Sequence, residues 1–364
     1  MKIAQVAPLF ESVPPKFYGG TERIVAYLTE ELARQGHEVT LFASGDSKTS
    51  AELVRCCDMA LRLNPAVKDP LPYHVLMLEE VRERADEFDV LHFHVDLLHF
   101  PLFRDMADRV VTTLHGRLDL PDLKPFYTAF TDMPLVSISK DQRRPMPRRM
   151  NWVGNVHHGL PNDSLPFTAE PKGDYLAFLG RISPEKGPDR AIEIAKRTGL
   201  PLKIAAKIDA ADRPYWETVI EPMLRENASD IEFVGEINEQ QKADFLGNAR
   251  ALLFPIDWPE PFGVVMIEAM ACGTPVIAWN RGSVPEVIDH GASGFVVHDT
   301  EQAVAAVRRI DELDRRRVRA IFDERFTAAR MAQDYVTIYR NLPAVRRASL
   351  HVVAEDQIGT AALA

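Results

Sequence analysis

The sequence is short of several features that mark common binding and stapling chemistries. Only three cysteines occur in 364 residues, two adjacent (Cys56, Cys57) and one in an apolar run (Cys272). That usage gives neither a disulfide framework nor zinc-ligand spacing, and it suits a reducing compartment. Positive charge is scarce: 43 Lys and Arg against 53 Asp and Glu leave a net charge of -10, which argues against a general nucleic-acid binder. No apolar run reaches the roughly 18 residues of a membrane span, and the run after Lys2 is too short for a secretory signal. The expectation is a cytoplasmic protein, neither exported nor integral. No G-x-G-x-x-G follows the first apolar run, which speaks against a Rossmann oxidoreductase. Solenoid repeats and low-complexity tracts are absent too.

What is present is alternation. Hydrophobic residues make up 46% of the chain, and its length exceeds what one core usually organises, so two domains are expected. MKIAQVAPL reads as a buried strand, ESVPPKFYGG as a loop, TERIVAYLTEELARQ as an amphipathic helix and GHEVTLFAS as a second strand. Apolar runs at 90–94, 109–115, 134–139 and 152–159 continue the pattern, as a parallel sheet covered by helices would. The turn-rich stretch GLPNDSLPFTAEPKGD (159–174) interrupts it, and a linker is expected there. YLAFLG, PLKIAAKI, IEFVGEI, RALLFPI, PVIAW and GFVV then alternate with helical segments. The fold class expected is α/β, with two doubly wound Rossmann-like domains. Their bounds are 1–162 and 174–328, joined by a linker at 163–173. Residues 329–364 are read as a helix that packs back toward the N-terminal domain, followed by an unpatterned tail.

The chemistry concentrates in PEPFGVVMIEAM, residues 259–270. Pro261 and Gly263 suit a helix entrance, which puts the helix start at about Val264 and its stop at Gly273. Glu260 then lies in the preceding loop and Glu268 in the second turn, roughly 7 Å along the axis. Between them, the N–H groups near Gly263, Val264 and Val265 carry the positive end of the helix dipole and can hold a phosphate. Carboxylates do not pair with phosphate but accept hydrogen bonds from hydroxyls. A diphosphate with a sugar on each side satisfies the arrangement, as in a sugar nucleotide. The plain alternative is a solvated loop acid and a helix surface charge. Arg181 and Lys186 of LGRISPEKG follow the first strand of the second half, where doubly wound sheets bind ligands. They offer a planar fork and a mobile cation to a diphosphate; capping or surface roles are their alternative.

Together GRISPEKG (180–187), FVGEI (233–237), FPIDWPEPFGVVMIEAMACGTPVIA (254–278) and GSVPEVIDHGASGFVV (282–297) resemble the retaining, sugar-nucleotide-dependent glycosyltransferases of family four, the group 1 glycosyltransferases. YGGTERIVAYLTEELARQGHEVTLFASGDS (18–47) is similar to the opening of that family. The resemblance implies the GT-B architecture, two Rossmann-like domains facing a cleft. It implies that Arg181 and Lys186 neutralise the donor diphosphate, helped by the amides of Phe262, Gly263, Val264 and Val265. Glu268 would take the ribose hydroxyls and Glu260 those of the transferred sugar, while Val234, Gly235 and Glu236 seat the base through their backbone. Gly19 and Gly20 would approach the diphosphate, and His115 would face the transferred sugar. Read from the residues alone, simple turn chemistry explains Gly19-Gly20 about as well, and a lone strand-end histidine such as His115 is more often structural.

The transition state of glycosyl transfer loads negative charge onto the leaving diphosphate, so electrostatic stabilisation by Arg181, Lys186 and the helix tip carries most of the expected catalysis. No cofactor or metal is expected. Retention is what the resemblance implies. The expected partners are a nucleotide-sugar donor and a saccharide, lipid-linked or small polar acceptor. An epimerase of the same fold and a non-catalytic sugar-nucleotide binder are the competing readings. His92 and His94 alternate onto one strand face without a third metal ligand, and the roles of His157 and His158 are open. KDQRRPMPRRMNW (140–152) sets Lys140, Arg143, Arg144, Arg148 and Arg149 beside Met146, Met150 and Trp152. It reads either as a solvated loop or as a weak peripheral contact with the anionic inner face of a membrane.

Overall fold

The computed structural model describes residues 1–16, 19–227 and 229–347. Tyr18 of the quoted opening and the tail from Ala348 lie outside the described residues. Two compact units result: Met1–Ile138 with Arg143–His157 and the chain from Ala328 on, and Ser139–Gln142 with His158–Thr327.

The first unit is a seven-stranded parallel sheet. Its strands are β1 (Lys2–Val6), β2 (Glu38–Ser44), β3 (Glu52–Cys57), β4 (Val90–Phe93), β5 (Val110–Leu114), β6 (Leu135–Ser137) and β7 (Trp152–Asn155), in the order β3-β2-β1-β4-β5-β6-β7. The order reverses between β1 and β4. β4 and β5 are buried along their whole length, as expected of central parallel strands covered on both faces. The sequence reading omitted β3, the edge strand in ELVRCC, and the helix Leu71–Glu83. The C-terminal helix Ala328–Asn341 buries Tyr335 and Tyr339, whose hydroxyls bond Thr113 and His92 at 2.8 and 2.7 Å.

The second unit is a six-stranded parallel sheet. It comprises β8 (Leu176–Arg181), β9 (Leu202–Lys207), β10 (Ile231–Gly235), β11 (Ala251–Phe254), β12 (Val276–Trp279) and β13 (Gly294–Val297), in the order β10-β9-β8-β11-β12-β13. Here the reversal falls between β8 and β11, which pair directly through Ala251↔Leu176 and Leu252↔Ala177. The α/β fold class expected from the sequence is therefore the one found. One expected helix is interrupted: 213–226 runs through a π-turn at Trp216–Ile220. Pro222 cannot donate to residue 218 and its ring clashes there, so a wider turn relieves the ladder.

The stretch read as a linker belongs to the second unit. Leu160 N–H donates to Phe326 O at 2.9 Å and Thr168 N–H to Cys272 O at 3.0 Å. Arg319 bonds the carbonyls of Leu165 and Ala271, and Leu165 is buried. The unit also takes up residues 139–142, whose Lys140 and Asp141 N–H groups both donate to the Glu286 carboxylate at 2.8 Å. Turn-forming residues there mark a strap fixed by arginines, so composition alone does not show it as packed.

Candidate functional site

In the second unit, the loops leaving β8 and β11 emerge side by side where the strand order reverses, the place at which open α/β sheets bind ligands. Asp257 N–H donates to Glu185 O at 2.8 Å and Arg190 Nε to Pro255 O at 2.8 Å, so the two loops are one structure. Arg181 ends β8. Its guanidinium lies 2.5 Å from Glu185 and 3.3 Å from Asp212, with Asp209 at 3.9 Å. Burial alone would raise Glu185, but hydrogen bonds from its own backbone, Ser183 and Arg181 outweigh that and hold it below the ordinary value. Burial raises Asp212; Arg181 opposes this, and the negative Glu185 and Asp209 add to it.

Lys186 pairs with Oε2 of Glu260, which also accepts from Trp258 Nε1 at 2.8 Å. The Lys186 ammonium sits 5.0 Å from the Trp258 ring centre. Glu260 is itself clamped: its carbonyl accepts from Ser283 N–H at 3.0 Å. Gly282 has φ 53°, and a Cβ there would land on the backbone of Glu260. Gly282→Ala should therefore cost about 1–3 kcal/mol of stability and displace Glu260, read as a lower melting temperature.

The helix expected to start at Val264 runs Val264–Ala271, entered through Gly263 at φ 77°. Phe262 is buried with its ring edge-on to His158 at 4.9 Å, and its carbonyl accepts from Ser283 Oγ at 2.7 Å. Gly263, Val264 and Val265 are partly exposed, whereas Met266 to Ala271 are buried. The first turn of the helix thus presents amides that have no partner four residues back. Glu268 is no surface charge: it is 6% exposed and bonds Lys242 Nζ at 2.7 Å. Val234, Gly235 and Glu236 lie at the end of β10, an edge strand two places from β8, with Val234 exposed and Gly235 at φ 82°.

Arg181, Lys186, Glu260, Phe262, Gly263, Val264 and Val265 thus gather on the loops of β8 and β11, with Glu268 one turn further and 234–236 on the flank. Sequence reasoning missed Lys242, Trp258, Glu185, Asp212 and Ser283. They act across elements, and only the residue type of Trp258, in WPEPFG beside Glu260, offered a signal.

Gly19, Gly20 and His115 belong to the first unit. Gly19 is tightly packed, a Cβ there meeting Pro15 at 2.8 Å, whereas Gly20 has open space. The same loop carries buried Glu11, paired with Arg62 at 2.9 Å, and the first turn of the helix Gly20–Arg34 carries Glu22, whose pKa burial raises. His115 follows β5. Its Nε2 lies 2.8 Å from His94 Nδ1, and His94 Nε2 lies 2.8 Å from Gln5 Oε1. Burial pushes the His115 pKa down to about 3, so the ring is neutral at physiological pH. His92 bonds Tyr339 and Thr113. Among the described residues no group of three or more His, Cys, Asp or Glu is placed to hold a metal ion. His157 O accepts from Arg330 at 2.7 Å.

In the basic segment, Met146 and Met150 are buried in the first unit's core. Arg143 lies over the Trp152 ring at 4.7 Å and donates to Ser137 at 2.7 Å. The apolar members thus face inward and only Arg144, Arg148 and Arg149 of this unit's basic residues there are exposed. Among the described residues no helix is long and apolar enough to cross a membrane.

Residues 164–325 match the family described as glycosyl transferases group 1, and residues 18–156 match glycosyltransferase family 4. The chain is 24% identical to the O-antigen chain mannosyltransferase C of Escherichia coli, over 93% of this chain and 98% of that protein. It superposes on the sucrose-phosphate synthase of Thermosynechococcus elongatus with a TM-score of 0.74, at 20% identity, covering 94% and 99% of the two chains. An Anabaena protein, HepE, solved with UDP and glucose, gives a TM-score of 0.69 at 17% identity, covering 93% and 98%.

Proposed function

Because the chain belongs to the group 1 glycosyltransferases of family 4, we propose that it moves a hexosyl group from a nucleoside-diphosphate sugar to an acceptor hydroxyl, with retention and without a metal ion. The observation that carries this reading is the convergence of Arg181, Lys186 and the tip of the Val264–Ala271 helix on the two loops at the reversal point of the second sheet. The donor diphosphate lies there, exchanging the carboxylates now paired with Arg181 and Lys186 for phosphate oxygens. Glu260, released from Lys186, accepts from hydroxyls of the transferred sugar. Glu268 accepts from the ribose, and the exposed backbone at 234–236 meets the base. As the glycosidic bond breaks, the leaving diphosphate gains charge under these cations and amides, and the acceptor hydroxyl attacks on the same face, its proton passing to a phosphate oxygen.

The Escherichia coli relative named a mannosyltransferase and the structural neighbour named sucrose-phosphate synthase support a hexosyl group and a saccharide acceptor. HepE with UDP and glucose supports a nucleotide donor. A panel of UDP-, GDP- and ADP-sugars tests the reading. One donor at 100 times its dissociation constant should stabilise the protein by about 2.7 kcal/mol, and with acceptor it should release nucleoside diphosphate. Stabilisation without turnover would indicate a binder, and sugar interconversion without release an epimerase.

Arg144, Arg148 and Arg149 also make weak contact with an anionic membrane or phosphorylated acceptor in this proposal. At about 1 kcal/mol per residue, the triple Ser variant should lose roughly a hundredfold in binding to anionic liposomes. Unchanged sedimentation would remove the lipid contact.

A further inference from the structure

We propose that Lys242 is a positioning residue for the donor's ribose, holding the Glu268 carboxylate so that its second oxygen faces the sugar hydroxyls; the inference rests on the sugar-nucleotide reading above. Lys242 lies on the helix Glu239–Gly247, whose entry is fixed by a capping box between Asn238 and Gln241. That helix follows the 234–236 edge loop in the chain, so the Lys242–Glu268 pair ties the helix after that loop to the helix Val264–Ala271. Lys242 donates to Oε1 of Glu268 at 2.7 Å and to Glu239 at 2.8 Å.

Lys242 and Glu268 are 9% and 6% exposed, and Glu239 is at the surface. Lysine is rarely so buried unless paired. Burial alone would lower the ammonium's pKa, but Glu268 and Glu239 outweigh it and hold it above the ordinary lysine value. The cation is therefore kept, and it does two things. It cancels the charge of Glu268, which would otherwise repel a diphosphate at the tip of the same helix. It also fixes the carboxylate through one oxygen. Among the described residues Oε2 makes no hydrogen bond, so it keeps its acceptor capacity for a hydroxyl while Oε1 is held by Lys242.

The test titrates the full chain and its Lys242→Gln variant with UDP, GDP, ADP and their 2′-deoxy forms by calorimetry. The unsubstituted protein should prefer one ribonucleotide over its deoxy form by about tenfold or more, as a hydrogen bond to a charged group provides. In K242Q that preference should fall to about threefold or less, while the uncancelled charge of Glu268 weakens the ribo and deoxy forms alike. If K242Q fails to fold, K242R, whose donors are splayed differently, is read the same way. A ribose preference that survives substitution overturns the proposal and leaves Lys242 a structural cation. An unsubstituted protein that binds nucleotide with no ribose preference overturns it too, with the donor reading intact. Binding of none of the three nucleotides overturns both.

Discussion

Lys186→Ala and Arg181→Ala should each lower kcat/KM by about 10²–10³, a loss of about 3–4 kcal/mol of transition-state stabilisation, with the fold retained. The size follows from where the charge develops: these two side chains and the first amides of the Val264–Ala271 helix are the positive groups on the loops of β8 and β11. The two variants should differ in kind. Lys186 also neutralises Glu260, so K186A leaves that carboxylate beside the phosphate site, and Glu260→Gln in the same background should restore part of the nucleotide affinity. Arg181 is held by Glu185 and Asp212, so R181A leaves two acids facing the diphosphate and should weaken binding even when turnover is saturated with acceptor. Steady-state kinetics with the best donor, alongside nucleotide titration, separates the two. Equal loss in kcat and kcat/KM without loss of affinity would place these groups in the transition state alone.

Arg315→Ala should cost about 3 kcal/mol of stability, seen in thermal unfolding, although Arg315 touches none of the donor residues. Its guanidinium donates to the carbonyls of Thr168, Ala249 and Gly247 and to Thr274 Oγ1 at 2.8–3.0 Å. It thereby satisfies the carboxyl end of the Glu239–Gly247 helix and fastens the strap at Thr168 beside the end of the Val264–Ala271 helix. Burial lowers its pKa, and no carboxylate contributes. Removing it strands several acceptors at once. A lysine there supplies one compact ammonium instead of a planar fork, so R315K should recover less than half of the loss. Because those helices carry Lys242 and Glu268, R315A should also weaken nucleotide binding.

Much of this was readable from residue patterns because the signals are local. The start at Val264 follows from Pro261 and Gly263, and the strands from short apolar runs. The placement of the 181–187 and 259–265 loops side by side follows from their position after strands of a doubly wound sheet. What escaped the sequence depends on contacts between distant segments. Lys242 lies 26 positions before Glu268, and nothing in QKADFLG marks it as buried. Met146 and Met150 look like partners of the arginines around them, yet a turn in every three or four residues sends them into the core. The 159–174 stretch has linker composition, but Arg315 and Arg319, some 150 positions later, tie it down. β3 carries Glu52 and Arg55 and lies at an edge, so its alternation is too weak to read.

In the mechanism we propose, Arg181, Lys186 and the amides at 263–265 receive the diphosphate of an activated sugar. A crystal structure of the protein with the nucleoside diphosphate that stabilises it most is the direct measurement. Phosphate oxygens should lie within hydrogen-bonding distance, roughly 3 Å, of Lys186 Nζ, the Arg181 guanidinium and the Val264 and Val265 amides, with Lys186 detached from Glu260. A diphosphate bound elsewhere, with the Lys186–Glu260 pair intact, would contradict it.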